Sequence, residues 1–569
     1  MIFAKSEKSS TPQAGDDVAA RAAEGMLGPN PFVGLRSQDV LEQFDKIAAA
    51  ASKHPQLILA QQAALARELM AVFSGTSEIA PGADDKRFRA ADWQNHPLYR
   101  MYLQSYLAWA RAVDEFVGKL GFDEKNTQRA RFAMSLVTDA FAPSNILWTN
   151  PIALKRLVES NGASVAEGLH NMMQDFLNNQ GMPAQVDKSK FEVGKNLGIS
   201  PGAVIFRNPV LELIQYRPMT GSVFARPLII VPPQINKFYL FDLAPGRSVI
   251  EYLLKSGFQM FIVSWRNPTA EHRDWNMDTY VDALLQAIDV ARAVTKSKDV
   301  NIAGACSGAM TVSALLGYIA VRGDRPVSAA TMMVVVLDRD EDSQIGLFAT
   351  PEAIAAAKQA SKITGVLSGQ NMGRMFAWMR PNDLVWNYWV NNYLLGHAPP
   401  AFDVLYWNND TTRLPASFYG QLLDLFLQNK FRIPGSLTVL GTPIDLGNVR
   451  SDKYIVAGLS DHITPWRGVY RAAKLFGGAT EFVLSSSGHI QSIINPPGNT
   501  KATYFVNSKE ASDADAWLAG AKRTTGSWWD HWRQWLTERS GASVSAPRNL
   551  GNERHTKIPE APGSYVLER

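Results

Sequence analysis

The sequence has little cysteine, no long apolar run and no dense block of basic residues. Its 569 residues include one cysteine, Cys306, which excludes an internal disulfide and a cysteine-based zinc site and fits a reducing cytoplasm. The N-terminal sequence lacks the apolar segment of a signal peptide. The apolar runs, such as residues 331–337, fall far short of the ~20 residues of a membrane span. A formal net charge of +4 does not indicate a nucleic-acid partner.

The hydrophobic pattern divides the chain into two parts. Residues 1–205 are predicted to form a mainly helical N-terminal domain, because apolar residues recur every three or four positions across 38–74 and 98–142. Residues 206–569 are predicted to form a second domain, in which short apolar runs alternate with stretches of helix length. These runs are 227–233, 259–265, 300–306, 329–338, 453–461 and 480–489. Such alternation predicts an α/β fold with a parallel sheet.

One interval breaks this alternation. Residues 339–445 hold no clear sheet strand and are rich in Trp, Tyr, Asn and Pro. We expect this interval to be an inserted cap or lid. Further on, residues 527–539 carry four tryptophans and are predicted to form a helix that packs against the core.

The most specific motif is Gly304-Ala305-Cys306-Ser307-Gly308, which follows an apolar strand and precedes a helix of small residues. It has the form of the G-x-S-x-G nucleophile elbow of the α/β-hydrolase fold, with cysteine in the place of serine. A helix N-terminus behind the sulfur favours the thiolate. A lone cysteine is usually a buried structural residue, but the strand, turn and helix context favours a nucleophile.

A nucleophile in such an elbow needs an acid and a base, which follow it in the chain. Asp461 and His489 each follow a predicted strand, so both would meet Cys306 at the carboxyl edge of the sheet. His462 is adjacent to Asp461 and is not expected to be the base, because the acid and the base need separate loops. The backbone N–H groups of Ser307 and Ile235 are the expected oxyanion donors.

Cysteine in the elbow has a chemical consequence. A thiolate that attacks a thioester forms another thioester, so the acyl group stays activated for transfer to a weak hydroxyl nucleophile. This favours acyl transfer to an alcohol. A thioesterase or hydrolase on the same fold is the alternative, and a non-catalytic granule-coat protein is a weaker one, since it needs no ordered triad.

Several segments together resemble the polyhydroxyalkanoate synthases, especially the class II enzymes of pseudomonads. The segments are GACSG, GLSDHITPW, SSSGHIQSIINPPGN, VPPQINKFYLFDL and RPNDLVWNYWVNNYLLG. The resemblance implies an acyltransferase that moves (R)-3-hydroxyacyl groups, mainly of medium chain length, from coenzyme A to a growing polyester. It implies no cofactor besides the acyl-CoA substrate and no metal. It also implies a cytoplasmic homodimer at the polyester granule, together with granule-associated proteins.

The resemblance also implies roles for individual residues. Cys306 would carry the growing chain, and His489 would take the thiol proton. Asp461 would either orient His489 or assist the substrate hydroxyl directly, and both roles stay open.

Three further residues are expected near the substrate. Ser307 and Gln491 would face the acyl pocket and bias monomer choice. Asp242 matches a recurrent family aspartate near the site, for which a structural cap or ion pair is the other interpretation. Ala309 departs from the family, which often has glycine there.

The choice between the two histidines is testable. We expect His489→Gln to lower turnover by about three to four orders of magnitude, as loss of a triad member does, and His462→Gln to have a much milder effect. Steady-state release of coenzyme A from a 3-hydroxyacyl thioester measures both. Reversed magnitudes would show that the base has been assigned to the wrong histidine.

Overall fold

The computed structural model describes residues 37–569 except 84, 339–346, 348, 370–372, 374–377, 379–380 and 462. The described residues form two compact units. One unit contains those of 37–187 and 374–402, and the other contains those of 188–373 and 403–569. Residues 188–205 therefore lie in the second unit, although the sequence pattern placed them in the helical domain.

The first unit is helical. Its helices are α1 (Ser37–Ser52), α2 (Pro55–Phe73), α3 (Asp92–Asn95), α4 (Pro97–Gly118), α5 (Glu124–Ala140), α6 (Pro151–Glu159) and α7 (Ala163–Asn178), with π-helical segments at Asn382–Trp386 and Trp389–Leu394. Local sequence sets these boundaries. The Asn150 side chain accepts hydrogen bonds from two backbone N–H groups at the start of α6, and Pro151 takes the first helical position.

Part of the predicted cap belongs to this helical unit. Tyr393 donates a hydrogen bond to Asp175 on α7 at 2.8 Å, and Trp389 donates to the Asn145 carbonyl at 3.0 Å. The rings of Trp378, Trp386, Trp389 and Tyr393 form a chain of edge-to-face contacts. These aromatic side chains therefore pack within the helical unit, whereas the described residues of 347–373 and residues 403–445 of the predicted insertion belong to the second unit.

The second unit is built on a mixed sheet of ten strands among the described residues. In spatial order the strands are β1 (Gly202–Arg207), β2 (Leu211–Tyr216), β5 (Met260–Trp265), β4 (Leu228–Val231), β6 (Val300–Ala305), β7 (Val327–Met333), β12 (Asp452–Gly458), β13 (Thr480–Ser485), β14 (Thr503–Val506) and β15 (Lys522–Thr525). The six central strands, from β5 to β13, are parallel, and both edges are antiparallel.

The central strands are the six apolar runs of the sequence, so the predicted parallel α/β core is confirmed. The antiparallel strands at the two ends of the sheet were not predicted. β14 and β15 have only four residues each, and Glu212 and Gln215 interrupt the apolar pattern of β2. Three small two-stranded sheets lie apart from the main sheet. They pair β3 (Ser222–Phe224) with β16 (Ser543–Ser545), β8 (Val366–Leu367) with β9 (Leu414–Pro415), and β10 (Leu437–Val439) with β11 (Thr442–Ile444).

Helices accompany the strands of the second unit. They are α8 (Val249–Lys255), α9 (Met277–Thr295), α10 (Ser307–Arg322), α11 (Pro351–Thr364), α12 (Asp403–Asn409), α13 (Ala416–Gln428), α14 (Trp466–Ala473), α15 (His489–Ile493), α16 (Ala514–Ala519) and α17 (Trp528–Thr537). The helix α10 is buried along most of its length, which fits a central helix packed on strand β6. Among the described residues, no helix combines the length and apolarity needed to cross a membrane.

The C-terminal helix α17 packs on the sheet as predicted. Trp528, Trp529 and Trp532 are buried, and the Trp532 indole N–H donates to the Thr331 hydroxyl on β7 at 2.8 Å. This hydrogen bond satisfies the polar atom of a fully buried indole. The helix thus covers the centre of the sheet.

We expect Trp532→Ala to lower the free energy of unfolding by about 3–5 kcal/mol, because it leaves a cavity and an unpaired threonine hydroxyl in the core. Urea unfolding followed by circular dichroism measures the change. Gln534→Ala on the exposed side of the same helix is the control and should stay within about 0.5 kcal/mol of the parent. Equal effects of the two substitutions would contradict the packing described.

Candidate active site

The candidate nucleophile lies on a strained turn between β6 and α10. Cys306 has φ 50° and ψ −122°, a backbone conformation that residues other than glycine rarely adopt. Its N–H donates to the Met333 carbonyl at 3.0 Å, and its side chain is partly exposed. The turn therefore presents the sulfur at the carboxyl edge of the parallel strands.

The two glycines of the motif are required by close backbone approaches. A Cβ atom on Gly304 would lie 2.7 Å from the Ala309 Cα, and one on Gly308 would lie 2.5 Å from the Pro232 carbonyl oxygen. Neither neighbour can move as a flexible side chain could, so both positions exclude a side chain. Ala309, the departure from the family pattern, is fully buried in the first turn of α10.

The acid and the base lie where the sequence analysis placed them. Asp461 follows β12, and His489 is the first residue of α15 after β13. The His489 Nδ1 atom is 2.7 Å from the Asp461 Oδ2 atom, and both side chains are buried. Cys306 and His489 line the same cavity, and the Cys306 side chain contributes to the raised pKa of His489. The bonded pair of His489 and Asp461 therefore lies beside the candidate nucleophile.

Asp461 is held by further donors that sequence reasoning missed. The N–H groups of Ile463 and Thr464 donate to Asp461 Oδ1 at 2.9 and 3.0 Å, and the Thr464 hydroxyl donates to Oδ2 at 2.6 Å. A threonine three residues after an aspartate is the available sequence signal for such a turn. These bonds fix the carboxylate so that it can orient the imidazole. His462, the rejected histidine, lies outside the described residues.

The ionisation of the pair follows from this geometry. Burial disfavours the charged imidazole, but the Asp461 carboxylate outweighs burial and raises the pKa of His489 to about 10. Burial likewise opposes ionisation of Asp461, yet the attraction of His489 and the bonds from His489 and Thr464 hold the pKa of Asp461 below its usual value. His489 is therefore a strong base beside Cys306, and its protonated form is stabilised.

A small apolar cavity adjoins the sulfur. Its volume is about 10 Å³, which is about the space that one water molecule needs. The cavity is lined by Pro233, Ile235, Asn236, Leu240, Cys306, Trp407, Ile463, His489, Ile490 and Ile493. Among these lining residues, Trp407 is the aromatic residue that belongs to the predicted insertion. An acyl chain of several carbons exceeds this space, so the site must widen to admit one.

The roles of Ile235 and Ser307 as oxyanion donors stay a prediction, and the Ser307 side chain is not where we expected it. Ile235 lines the cavity, and Ser307 provides the first N–H of α10. The Ser307 side chain is fully buried, and its Oγ atom accepts a hydrogen bond from the Gln234 N–H at 3.1 Å. The expectation that this hydroxyl faces the acyl pocket is therefore wrong, because the first turn of α10 points it toward the neighbouring loop.

Asp242 is a structural residue in this structure. Its carboxylate is buried and accepts bonds from the Ser200 hydroxyl at 2.6 Å, the Ser200 N–H at 2.9 Å and the Ser248 hydroxyl at 2.7 Å. The structural interpretation fits these bonds, and the substrate-binding role stays a prediction. Gln491 is partly buried and is not among the lining residues of the cavity, where Ile490 and Ile493 lie instead. Its role in monomer choice stays a prediction.

Metal chemistry has no candidate here. Within the part of the chain that the structure describes, no cluster of His, Cys, Asp and Glu side chains is arranged to hold a metal ion.

The sheet order and the Cys-His-Asp arrangement define a protein of the α/β-hydrolase class, and comparison with known proteins agrees. Residues 227–496 match the family model described as alpha/beta hydrolase fold. Residues 84–253 match the model described as Poly-beta-hydroxybutyrate polymerase (PhaC) N-terminus. The predicted fold class is therefore confirmed.

Full-length relatives are more specific. The chain is 50% identical over 554 residues to poly(3-hydroxyalkanoate) polymerase 1 of Ectopseudomonas oleovorans, covering 97% of this chain and 99% of the relative. It is 48% identical to polymerase 2 of the same organism, covering 96% and 98%. It is 40% identical to the polymerase subunit PhaC of Cupriavidus necator, covering 87% and 85%. The chain belongs to the poly(3-hydroxyalkanoate) polymerase family, and the resemblance to the class II polyhydroxyalkanoate synthases is confirmed.

The raised pKa of His489 predicts how stability depends on pH. The group binds its proton up to about pH 10 when folded but only up to about pH 6.5 when unfolded. The contribution of His489 to the free energy of unfolding is thus fully present below about pH 6.5 and is lost as the pH rises through about 10. We expect the difference in unfolding free energy between the parent and His489→Gln to shrink between pH 7 and 10 in urea titrations.

Two controls sharpen this measurement. Both chains should carry Cys306→Ala, which removes the titration of the thiol and leaves the pair with Asp461. His531→Gln is the matched variant, because burial lowers the pKa of His531 and its contribution should not change over this pH range. A difference for His489→Gln that stays constant from pH 7 to 10 would contradict the ion pair.

Proposed function

We propose that this chain is a polymerase that transfers (R)-3-hydroxyacyl groups from coenzyme A thioesters to a growing polyester through a thioester on Cys306. The observation that carries the proposal is the hydrogen bond between His489 and Asp461 beside a cavity that His489 shares with Cys306, in a member of a family of polymerases. Cysteine in the elbow favours this chemistry over hydrolysis, since exchange between two thioesters keeps the acyl group activated.

The acylation step follows from the geometry. His489, whose pKa is raised to about 10, holds the proton that the Cys306 thiol gives up, and the thiolate attacks the acyl carbonyl. The bond from that carbon to the sulfur of coenzyme A then breaks, and coenzyme A leaves with the proton returned by His489. The N–H groups of Ser307 and Ile235 would bind the carbonyl oxygen while it carries negative charge.

The second step uses the same base. The hydroxyl of another 3-hydroxyacyl-CoA attacks the thioester on Cys306, and His489 takes the hydroxyl proton. An ester bond forms as the bond between the acyl carbon and the Cys306 sulfur breaks, and the thiol regains a proton. The chain, longer by one monomer and now attached to coenzyme A, acylates Cys306 again and releases coenzyme A. Asp461 orients His489 in this scheme, because five hydrogen bonds already hold its carboxylate and its charge partner in place.

Access to the site requires a part of the structure to move. The cavity at Cys306 has room for about one water molecule, whereas the substrate carries an acyl chain and coenzyme A. We infer that the segment with Trp407, which belongs to the predicted insertion, moves aside to admit substrate and then excludes water from the acyl enzyme. The family resemblance further supports medium-chain monomers, a homodimer and attachment to the polyester granule.

The proposal predicts a covalent intermediate. Purified protein given labelled 3-hydroxyacyl-CoA substrates of several chain lengths should release coenzyme A and form polymer, with label attached at Cys306. Cys306→Ala should lose attachment, release and polymer together. Cys306→Ser, the matched variant, should form an oxygen ester that passes its acyl group on far more slowly.

Two outcomes would contradict this function. Release of free hydroxy acid in step with coenzyme A, without polymer, would identify a hydrolase. Appreciable polymer formation by Cys306→Ala would exclude Cys306 as the carrier.

A further inference from the structure

The loop that carries Ile235 is fixed from several directions. It follows β4 and lies directly on the start of α10, where the Pro232 carbonyl oxygen would touch a Cβ atom on Gly308. The Trp265 indole donates to the Pro232 carbonyl at 2.8 Å, and the Trp407 indole donates to the Lys237 carbonyl at 2.7 Å. Both ends of the loop are therefore anchored by tryptophan side chains.

Both backbone polar groups of Gln234, which lies in the middle of this loop, form hydrogen bonds. Its N–H donates to the Ser307 hydroxyl at 3.1 Å, and its carbonyl accepts a bond from the Thr412 hydroxyl at 2.5 Å. Its side-chain amide donates to the Thr311 hydroxyl at 2.9 Å. Gln234 is 2% exposed, so water cannot replace these partners.

Thr412 also holds the next residue. Its backbone N–H donates to the Ile235 carbonyl at 3.1 Å, and Asn236 pairs with Thr411 in an isolated antiparallel bridge. The segment 411–412 therefore runs beside the loop like a short strand. It comes soon after α12, the helix that carries Trp407.

The two backbone N–H groups proposed as oxyanion donors have no acceptor among the described residues. Within the described residues, neither the Ile235 N–H nor the Ser307 N–H donates to a protein acceptor. The Ser307 N–H has no partner inside its helix, because the first N–H groups of an α-helix never do. Ile235 lines the cavity together with Cys306.

We propose that the hydroxyls of Ser307 and Thr412 act together as positioning groups for the oxyanion hole. They form hydrogen bonds with the N–H and the carbonyl of Gln234 and thereby set the direction of the Ile235 N–H. The proposal rests on the proposed acyl transfer and adds two positioning residues to it. A backbone N–H stabilises the developing oxyanion only when it points at it. A small rotation of Gln234 would therefore reduce stabilisation of the transition state more than it reduces the affinity for substrate.

The bonds could also serve stability alone, and the single cysteine makes the two roles separable. Alkylation of Cys306 by iodoacetamide needs the thiolate and an open path, but it forms no oxyanion. Acylation of Cys306 by a 3-hydroxyacyl-CoA needs both the thiolate and the oxyanion donors. A positioning role therefore slows acylation and leaves alkylation unchanged.

The experiment compares Thr412→Val, which loses the hydroxyl, with Thr412→Ser, which keeps it. We expect Thr412→Val to lower kcat for coenzyme A release by about 10- to 100-fold, less than the loss of a whole oxyanion donor, with KM within about twofold of the parent. Thr412→Ser should restore most of the activity. Both variants should react with iodoacetamide at the rate of the parent.

Ser307→Ala gives an independent test that removes one oxygen atom and adds nothing. It should behave like Thr412→Val, and the double variant should lose less than the product of the two single effects, because both hydroxyls hold the backbone of one residue, Gln234. Ser313→Ala is the matched control. Ser313 is a buried serine on the same helix whose hydroxyl bonds to the Ala309 carbonyl, away from the loop, and its loss should leave kcat unchanged.

The outcomes separate this inference from the proposed function. A parent enzyme that neither accepts label at Cys306 nor releases coenzyme A would refute the proposed function and the oxyanion role together. An active parent with Thr412→Val and Ser307→Ala at parental kcat would overturn the positioning role alone. So would variants that lose alkylation and acylation in equal measure, since that pattern indicates a disturbed nucleophile.

Discussion

The strained turn at Cys306 is the constraint on which the rest of the site depends. A left-handed φ at a residue with a side chain costs about 1–3 kcal/mol, and the surrounding parallel strands and the buried helix α10 hold it. The turn directs the sulfur out of the sheet edge and leaves the Ser307 N–H at the free end of the helix. One backbone conformation would thus supply both the proposed nucleophile and one of the proposed oxyanion donors.

The carboxyl edge of the sheet then determines where the base and the acid lie. Strands β12 and β13 are neighbours and run parallel, so the loops that follow them bring Asp461 and His489 within hydrogen-bonding distance. Burial of both groups removes water from the pair and strengthens their attraction. A carboxylate held by backbone and threonine donors keeps its charge there, and the histidine becomes the stronger base.

Exclusion of water and entry of substrate place opposite demands on this site. The narrow cavity beside the sulfur has room for about one water molecule, which limits hydrolysis of a thioester, but it is too small for substrate. The segment around Trp407 and Thr412 lies against the loop of Ile235 through an indole, a hydroxyl and a backbone N–H. Movement of that segment would therefore change the oxyanion donors at the same time as it opens the cavity.

The sequence by itself determined the central sheet, the nucleophile and the residues of the candidate triad. These features have local signals: apolar runs of strand length, glycines that flank a turn, and an acid and a histidine that each follow a strand. The antiparallel strands at the two ends of the sheet carry weaker patterns, since β14 and β15 are short and partly exposed and a charged residue lies within both β1 and β2.

Only the tertiary structure decided what the remaining side chains contact. Ser307 looked like a pocket residue because it follows the nucleophile, yet the direction of the first helical turn assigns its hydroxyl to Gln234. Asp242 was expected near the substrate because it matches a recurrent family aspartate, yet two serines satisfy its carboxylate. The predicted insertion divides between two compact units, since its aromatic side chains pack on helices that are distant in the chain. Contacts of this kind depend on which segments meet in space, and no local pattern of residues encodes that.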